Sequence, residues 1–290
     1  MAPSAVVPVF RAPRFDPESD APLKINARLA ADWLVAFLRE ECLRNRGVGR
    51  AVIGLSGGVD SAVSAYLAVR AFGPENVLAV RMPYKISSQA SLDHARLVTE
   101  DLGLIEKTVP ITEMVDGYLA HESDVSSTRL GNICARCRMI VLFDQSAAFG
   151  GLPIGTGNKT ERLFGYFTWH ADDSPPINPL GDLFKTQVWQ LAEELGVPRP
   201  IIDKAPTADL VQGQTDEGDF GISYARADRI LHFLTQGCAR DKLVEMGFPE
   251  ADVDIVWRRV DTTHWKRRPP TVAMMSNSAI GEYYLRPVDF

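Results

Sequence analysis

A disulfide framework is out of reach for this chain: its 290 residues carry four cysteines, Cys42, Cys134, Cys137 and Cys238, too few to staple a secreted domain of that size. Positive charge is scarce too. Lys and Arg total 31 against 37 Asp and Glu, a formal net charge of −6, which argues against the broad basic surface that displaces counterions from nucleic acid. A small acidic substrate stays compatible, because a few local cations hold it whatever the net sign. No apolar run approaches the roughly 18 residues of a membrane span. The opening MAPSAVVPVFRAPRF has a short apolar run broken by proline and no basic leader, which does not fit a signal peptide. These absences lead us to expect a cytoplasmic protein with reduced thiols, and neither nucleic acid nor membrane as partner.

What is present is apolar material in a regular rhythm. Hydrophobic residues make up 46% of the chain, enough for a sizeable core. Residues 1–23 hold five prolines and no sustained period, and read as an extended arm. From Ile25 to Leu43 apolar residues recur at helical spacing. Ala51–Leu55 is a short all-apolar run, as in a buried parallel strand, and Ser61–Phe72 follows as a helix. Strand-like Asn76–Met82 and Ile105–Val109 flank helical Ser88–Leu102; helices at Thr112–Leu119 and Arg129–Phe149 precede a short strand, Leu152–Ile154. This order predicts an α/β fold, a doubly wound, Rossmann-like parallel sheet with helices on both faces and right-handed crossovers. Farther on, 165–179 reads as irregular, Lys185–Leu195 as a helix stopped by Gly196 and Pro198, and Asp209–Gly221 as a polar, mobile loop. The remainder is mostly helical up to the basic run Lys266-Arg267-Arg268. With no internal repeat and no linker, residues 24–290 read as one domain.

The chemistry centres on Gly54-Leu55-Ser56-Gly57-Gly58-Val59-Asp60-Ser61 between the first strand and its helix. Backbone N–H groups at a helix N-terminus, helped by the helix dipole, suit phosphate oxygens. Gly57 and Gly58 allow close backbone approach, and Ser56 and Ser61 can donate hydroxyl hydrogen bonds. Asp60 would repel a phosphate unless Mg²⁺ lay between them. The plainer alternative is a glycine turn in which Asp60 and Ser61 cap the helix. Neither the Walker pattern, which needs a lysine here, nor the dinucleotide pattern GxGxxG is present.

The spacing resembles SGGxDS of the ATP pyrophosphatase superfamily, and later segments resemble ammonia-dependent NAD⁺ synthetase. They are Arg81-Met82-Pro83-Tyr84, NICARCRM (Asn132 to Met139), GTGNKTE (Gly155 to Glu161), GDLFKTQVWQLAEELGVP (Gly181 to Pro198), APTADL (Ala205 to Leu210), GQTDEGDFGISY (Gly213 to Tyr224) and WKRRPP. The likeness runs in order from about residue 25 to 272. It implies the adenine nucleotide alpha-hydrolase-like version of the fold and a homodimer to which the helix 129–149 contributes. It also implies a two-step reaction: the carboxylate of nicotinic acid adenine dinucleotide (deamido-NAD) is adenylated by ATP with Mg²⁺, then ammonia displaces AMP to give NAD⁺. Residue by residue, Asp60 and Glu161 match the metal ligands. Lys185, Thr156 and Thr207 match ATP contacts, and Arg81 matches a residue facing the nucleotide. Arg136, Trp169, Asp172, His264, Trp265 and Lys266 fall in the deamido-NAD region. Asp60, Lys185 and Glu161 would be the catalytic set. A glutaminase domain would need on the order of 200 further residues, so free ammonia is the expected nitrogen donor unless a separate partner supplies it.

Three departures lie on the acceptor side. The family usually has a lysine at Trp169, an acidic residue at Pro176, and a His-Lys pair where this chain reads Trp265-Lys266, with His264 displaced by one. The runner-up is a related ATP pyrophosphatase that adenylates another acceptor, such as a tRNA-thiolating enzyme or another carboxylate amidase. Cys134-x-x-Cys137 supplies only two of the four ligands of a structural zinc site, so helix-facing thiols are the simpler reading. A nucleotide sensor that binds ATP without splitting it is a third.

Overall fold

The apolar runs become four parallel strands, Ala51–Gly54 (β1), Val77–Arg81 (β2), Ile105–Thr108 (β3) and Leu152–Pro153 (β4), ordered β3-β2-β1-β4. The computed structural model describes residues 16–207, 215–268, 271–273 and 275. In the sheet, side chains alternate between faces with the strand period of two. Ala51, Ile53, Val77 and Ala79 face one core, and Val52, Leu78 and Val80 face another.

The first core is covered by Ala27–Arg39 (α1), Val59–Phe72 (α2) and Gln89–Leu102 (α3), the second by Thr112–Leu119 (α4) and Ser127–Phe149 (α5). Helix α1 runs on into a π-helical turn over Glu40–Arg44, which ends the periodic segment with Cys42 buried. All four residues of β3 are exposed, since it is the edge strand. Its Glu106 pairs with Arg81 at 2.9 Å and its Lys107 donates to Gln145 at 2.7 Å, charged cover that discourages edge pairing.

After β4 come Lys159–Phe164 (α6), Lys185–Leu195 (α7) and Arg199–Ile202 (α8). Helix α7 packs on α1 and α2, on the first face. Between α6 and α7 the chain returns to the sheet, where Ile177 bridges Ile154 in parallel. Asp216–Phe220 (α9), Tyr224–Thr235 (α10), Arg240–Glu245 (α11) and Glu250–Thr262 (α12) gather around a third core. That core joins Phe164, Phe184, Phe220, Tyr224, Leu231 and Val256, and Leu23 is buried in it as well. The segment expected as a loop over Asp209–Gly221 divides: 208–214 lie outside the described residues, and 216–220 is helical. Thr215 caps that helix by accepting from Gly218 N at 3.1 Å, while Phe220 is buried.

The sheet order positions the site. From β1 the chain moves outward through β2 to β3, then returns to place β4 on the other side of β1. Loops after β1 and β4 therefore leave in opposite directions, and the crevice beyond the carboxyl ends of these strands is where open α/β sheets bind ligands.

Candidate active site

A cavity of about 640 Å³ occupies that crevice. Its wall holds every residue expected on the ATP side except Gly57. Gly57 has a different duty. Its φ is +78°, and a Cβ there would sit 2.1 Å from the Ser91 carbonyl oxygen, so the first turn of α3 dictates glycine. A Cβ on Gly58 would meet only Ser56 Oγ, at 3.4 Å, so packing does not demand glycine there. The serines brace the loop: Ser61 Oγ donates to Gly58 O at 2.9 Å and lies 3.1 Å from Ser56 Oγ.

Three charged groups expected from distant segments converge. Asp60 stands in the first turn of α2, Glu161 in the first turn of α6, and Lys185 opens α7. Lys185 Nζ donates to Asp60 Oδ2 and lies 4.0 Å from Glu161 Oε1. Asn158 Nδ2 donates to Asp60 Oδ1 at 3.0 Å. The same Asn158 caps α6, accepting Glu161 N at 3.0 Å while Glu161 Oε2 accepts Asn158 N at 3.2 Å, a reciprocal capping box. One asparagine thus ties the first turns of α2 and α6 together.

Lys185 is only 2% exposed. Burial opposes its charge, but the carboxylates of Asp60 and Glu161 outweigh that and hold its pKa above the usual lysine value. Its ammonium also faces the Tyr224 ring, 5.4 Å from the centroid. Two carboxylates around one ammonium leave negative charge over. Burial first, then the charge of Asp60, push Glu161 up to about 8. A third acid, Asp216, accepts from Tyr224 Oη at 2.9 Å on the same wall, and burial raises its pKa as well. Among the described residues no three acids are grouped as a ready-made metal cage, and the oxygens of Asp60 and Glu161 are of the kind a hard divalent cation takes.

The acceptor-side residues are only partly brought together. Asp172 and Lys266 line the cavity. Asp172 Oδ2 accepts Thr168 N at 2.6 Å. Lys266 Nζ donates to Gly165 O and Phe167 O, so it holds the loop after α6. Arg136, Trp169, His264 and Trp265 stand outside the cavity wall. Arg136 donates to Trp169 O at 3.2 Å, Trp169 stacks on His170, and Trp265 meets Trp169 edge to face at 5.2 Å. Arg81 lines the cavity while paired with Glu106, and Thr156, in the loop after β4, and Thr207 line it too. Cavity residues not singled out from the sequence include Asn158's neighbour Gly157, Arg138, whose Nε donates to Met82 O at 3.2 Å, and Lys204. Cys134 is buried among Val52, Leu78 and Tyr84, with Cys137 packed against them, and burial raises both thiol pKa values. These are core contacts of the second face.

A family model described as NAD synthase matches residues 31–270. The chain belongs to the NAD synthase family. It is 48% identical over 259 residues to an NH₃-dependent NAD⁺ synthetase of Trichlorobacter lovleyi, spanning 89% of this chain and 94% of that one. A second such synthetase, from Chlorobaculum tepidum, is 48% identical over 249 residues, covering 86% and 90%. Among solved structures, the NMN synthetase of Francisella tularensis superposes with a TM-score of 0.76 at 31% identity, covering 88% of this chain and all of that one. The NH₃-dependent NAD synthetase of Campylobacter jejuni gives 0.74 at 31%, covering 86% and 100%. This member of the NAD synthase family is accordingly a ligase, and the parallel sheet with helices on both faces agrees with the expected fold.

Proposed function

We propose that the enzyme joins ammonia to the carboxylate of deamido-NAD, splitting ATP to AMP and pyrophosphate and releasing NAD⁺. The observation that carries it is the convergence of Asp60, Glu161 and Lys185 beside a phosphate-suited loop, in a chain so similar to synthetases of that name. In the first step an acceptor carboxylate oxygen bonds to the α-phosphorus of ATP and the bond to pyrophosphate breaks. In the second, ammonia attacks the adenylated carbonyl, loses a proton, and AMP leaves. Both steps need positioned charge more than a protein nucleophile.

Backbone N–H groups at the start of α2 hold the phosphates, and Lys185 neutralises charge as pyrophosphate departs. Asp60 and Glu161 are the residues that would hold Mg²⁺, which supplies charge neutralisation for the phosphates when bound. The helix-dipole end at Gly58 orients the triphosphate, and Lys266 keeps the loop bearing Phe167 and Asp172 against the acceptor side. Exposed Ile140 and Phe143 on one side of α5 support the homodimer. Among the described residues no helix is long and apolar enough to cross a membrane, and the four cysteines are free thiols, which supports a reducing, cytoplasmic setting.

The test is to incubate the protein with Mg-ATP, ammonium and deamido-NAD, and to quantify AMP and NAD⁺. Equal amounts of both are expected. The displaced acceptor-side residues and the likeness to an NMN synthetase give a second acceptor, nicotinic acid mononucleotide, a place in the same assay. Amide formed only from the mononucleotide would replace the acceptor assignment. ATP bound without AMP formed would identify a nucleotide sensor.

A further inference from the structure

Helix α7 begins without a cap of its own. Phe184, at its N-cap, has no side-chain acceptor, although a helix N-terminus leaves its first N–H groups without intrahelical partners. Two other elements supply them. Thr160 Oγ1, from the first turn of α6, accepts Lys185 N at 3.0 Å, and Asp228 Oδ2, from α10, accepts Thr186 N at 2.9 Å. Asp228 Oδ2 also accepts Thr186 Oγ1 at 2.9 Å, and its Oδ1 accepts Thr160 Oγ1 at 2.6 Å.

Asp228 is fully buried, and an acid is expensive to bury unless its oxygens are satisfied. Here three hydrogen bonds satisfy them, and all three go to residues next to Glu161 or Lys185. The separations are 68 residues to Thr160 and 42 to Thr186, so no local turn requires this arrangement. Tyr224 lies four residues before Asp228, on the same helical face, and its hydroxyl and ring reach Asp216 and the Lys185 ammonium. One face of α10 therefore serves the reacting groups from behind.

We infer that Asp228 is a positioning residue for the synthetase reaction, locking the first turns of α6 and α7 together so that Glu161 and Lys185 meet Asp60 in one fixed geometry. It touches no substrate itself. This rests on the proposed reaction, so the two are tested separately: wild-type turnover tests the reaction, and the ratio of variant to wild type tests Asp228.

Asp228→Asn keeps the side-chain volume but cannot accept on both sides as the carboxylate does. Supporting partners of this kind typically cost about 10–100-fold in activity or metal affinity when removed. The expected result is a fall of that size in kcat or in Mg²⁺-ATP affinity, measured below the variant's melting temperature, with KM for deamido-NAD changed less than twofold. Thr160→Val should give part of the same loss, and adding it to Asp228→Asn should cost less than the product of the two separate losses. Asp252→Asn is the control. That acid is also buried but pairs with Arg226 between α12 and α10, so its variant should melt earlier with kcat unchanged. The inference is overturned if Asp228→Asn retains wild-type kcat and Mg²⁺-ATP affinity while folded. It is overturned equally if activity loss follows the unfolded fraction alone, as in the control. If Asp228→Asn does not fold, Thr160→Val and Thr186→Val carry the test, and wild-type kinetic constants in both overturn it.

Discussion

Glu161 meets the cavity as an acid whose charged form is disfavoured until something positive joins Asp60 and Lys185. Burial and Asp60 hold its pKa near 8, whereas a free glutamate titrates near 4.3. Below about pH 8 the free enzyme carries the proton, and a divalent cation has to displace it to use the carboxylate. Mg²⁺-ATP affinity should therefore rise with pH up to about 8 and level off above it. Calorimetry at pH 7 in buffers of different ionisation enthalpy should show a proton released on binding, and Glu161→Gln should abolish that release. Affinity independent of pH between 6 and 8 would oppose this account. Asp60, Glu161 and Lys185 were visible in the sequence because each sits in a short, distinctive segment. Asn158, Thr160, Asp216 and Asp228 do not stand out in the sequence, because a polar residue in a helix or turn does not announce which way it points. Of the two loop glycines, sequence offered one reason for both, whereas Gly57 answers to Ser91.

At the scale of elements, the short helix after α12 and the loop after α6 form a clasp. The 3₁₀ turn His264–Arg267 sends Lys266 to Gly165 O and Phe167 O, and Arg267 Nη1 to Leu163 O at 2.9 Å. Gly165, at φ +62°, makes room for it, since a Cβ there would come 2.4 Å from Thr263 Cβ. Gly165→Ala adds about 1–2 kcal/mol of left-handed strain to that clash. We expect a lower melting temperature and a KM for deamido-NAD raised several-fold, with KM for ATP little changed. A variant that melts earlier with both KM values intact would show that the clasp serves stability alone. Periodicity revealed the long helices and strands here to within a few residues, α4 and α7 included. It did not reveal the clasp, whose contacts join segments about 100 residues apart through main-chain carbonyls. Nor did it reveal α9, a helix of five residues in a glycine-rich stretch whose order comes from a capping threonine and one buried phenylalanine.

Across the whole molecule, the segment before α1 is tied to the helix that carries Lys185. Leu23, 1% exposed, inserts into the third core, and its carbonyl accepts from Gln190 Nε2 at 3.1 Å on α7. Glu18 and Asp20 both pair with Arg229 on α10, next to Asp228. Truncating a fully buried leucine costs about 2–5 kcal/mol. Leu23→Ala should lose that much in denaturant unfolding, and a loss below about 1 kcal/mol would mean that the segment merely rests on the surface.

The placement of β1 in the middle of the sheet also governs the order in which this enzyme comes into being on the ribosome. Asp60 leaves the exit tunnel early, yet Asn158 follows 98 residues later and Lys185 125 residues later. At about 5–20 residues per second, the loop after β1 waits for several seconds while β2, β3 and β4 emerge in turn. Its carboxylate stays without its ammonium until α7 emerges, and α7 stays half capped until α10 follows. A nascent chain can thus complete its sheet well before it is able to grip a nucleotide.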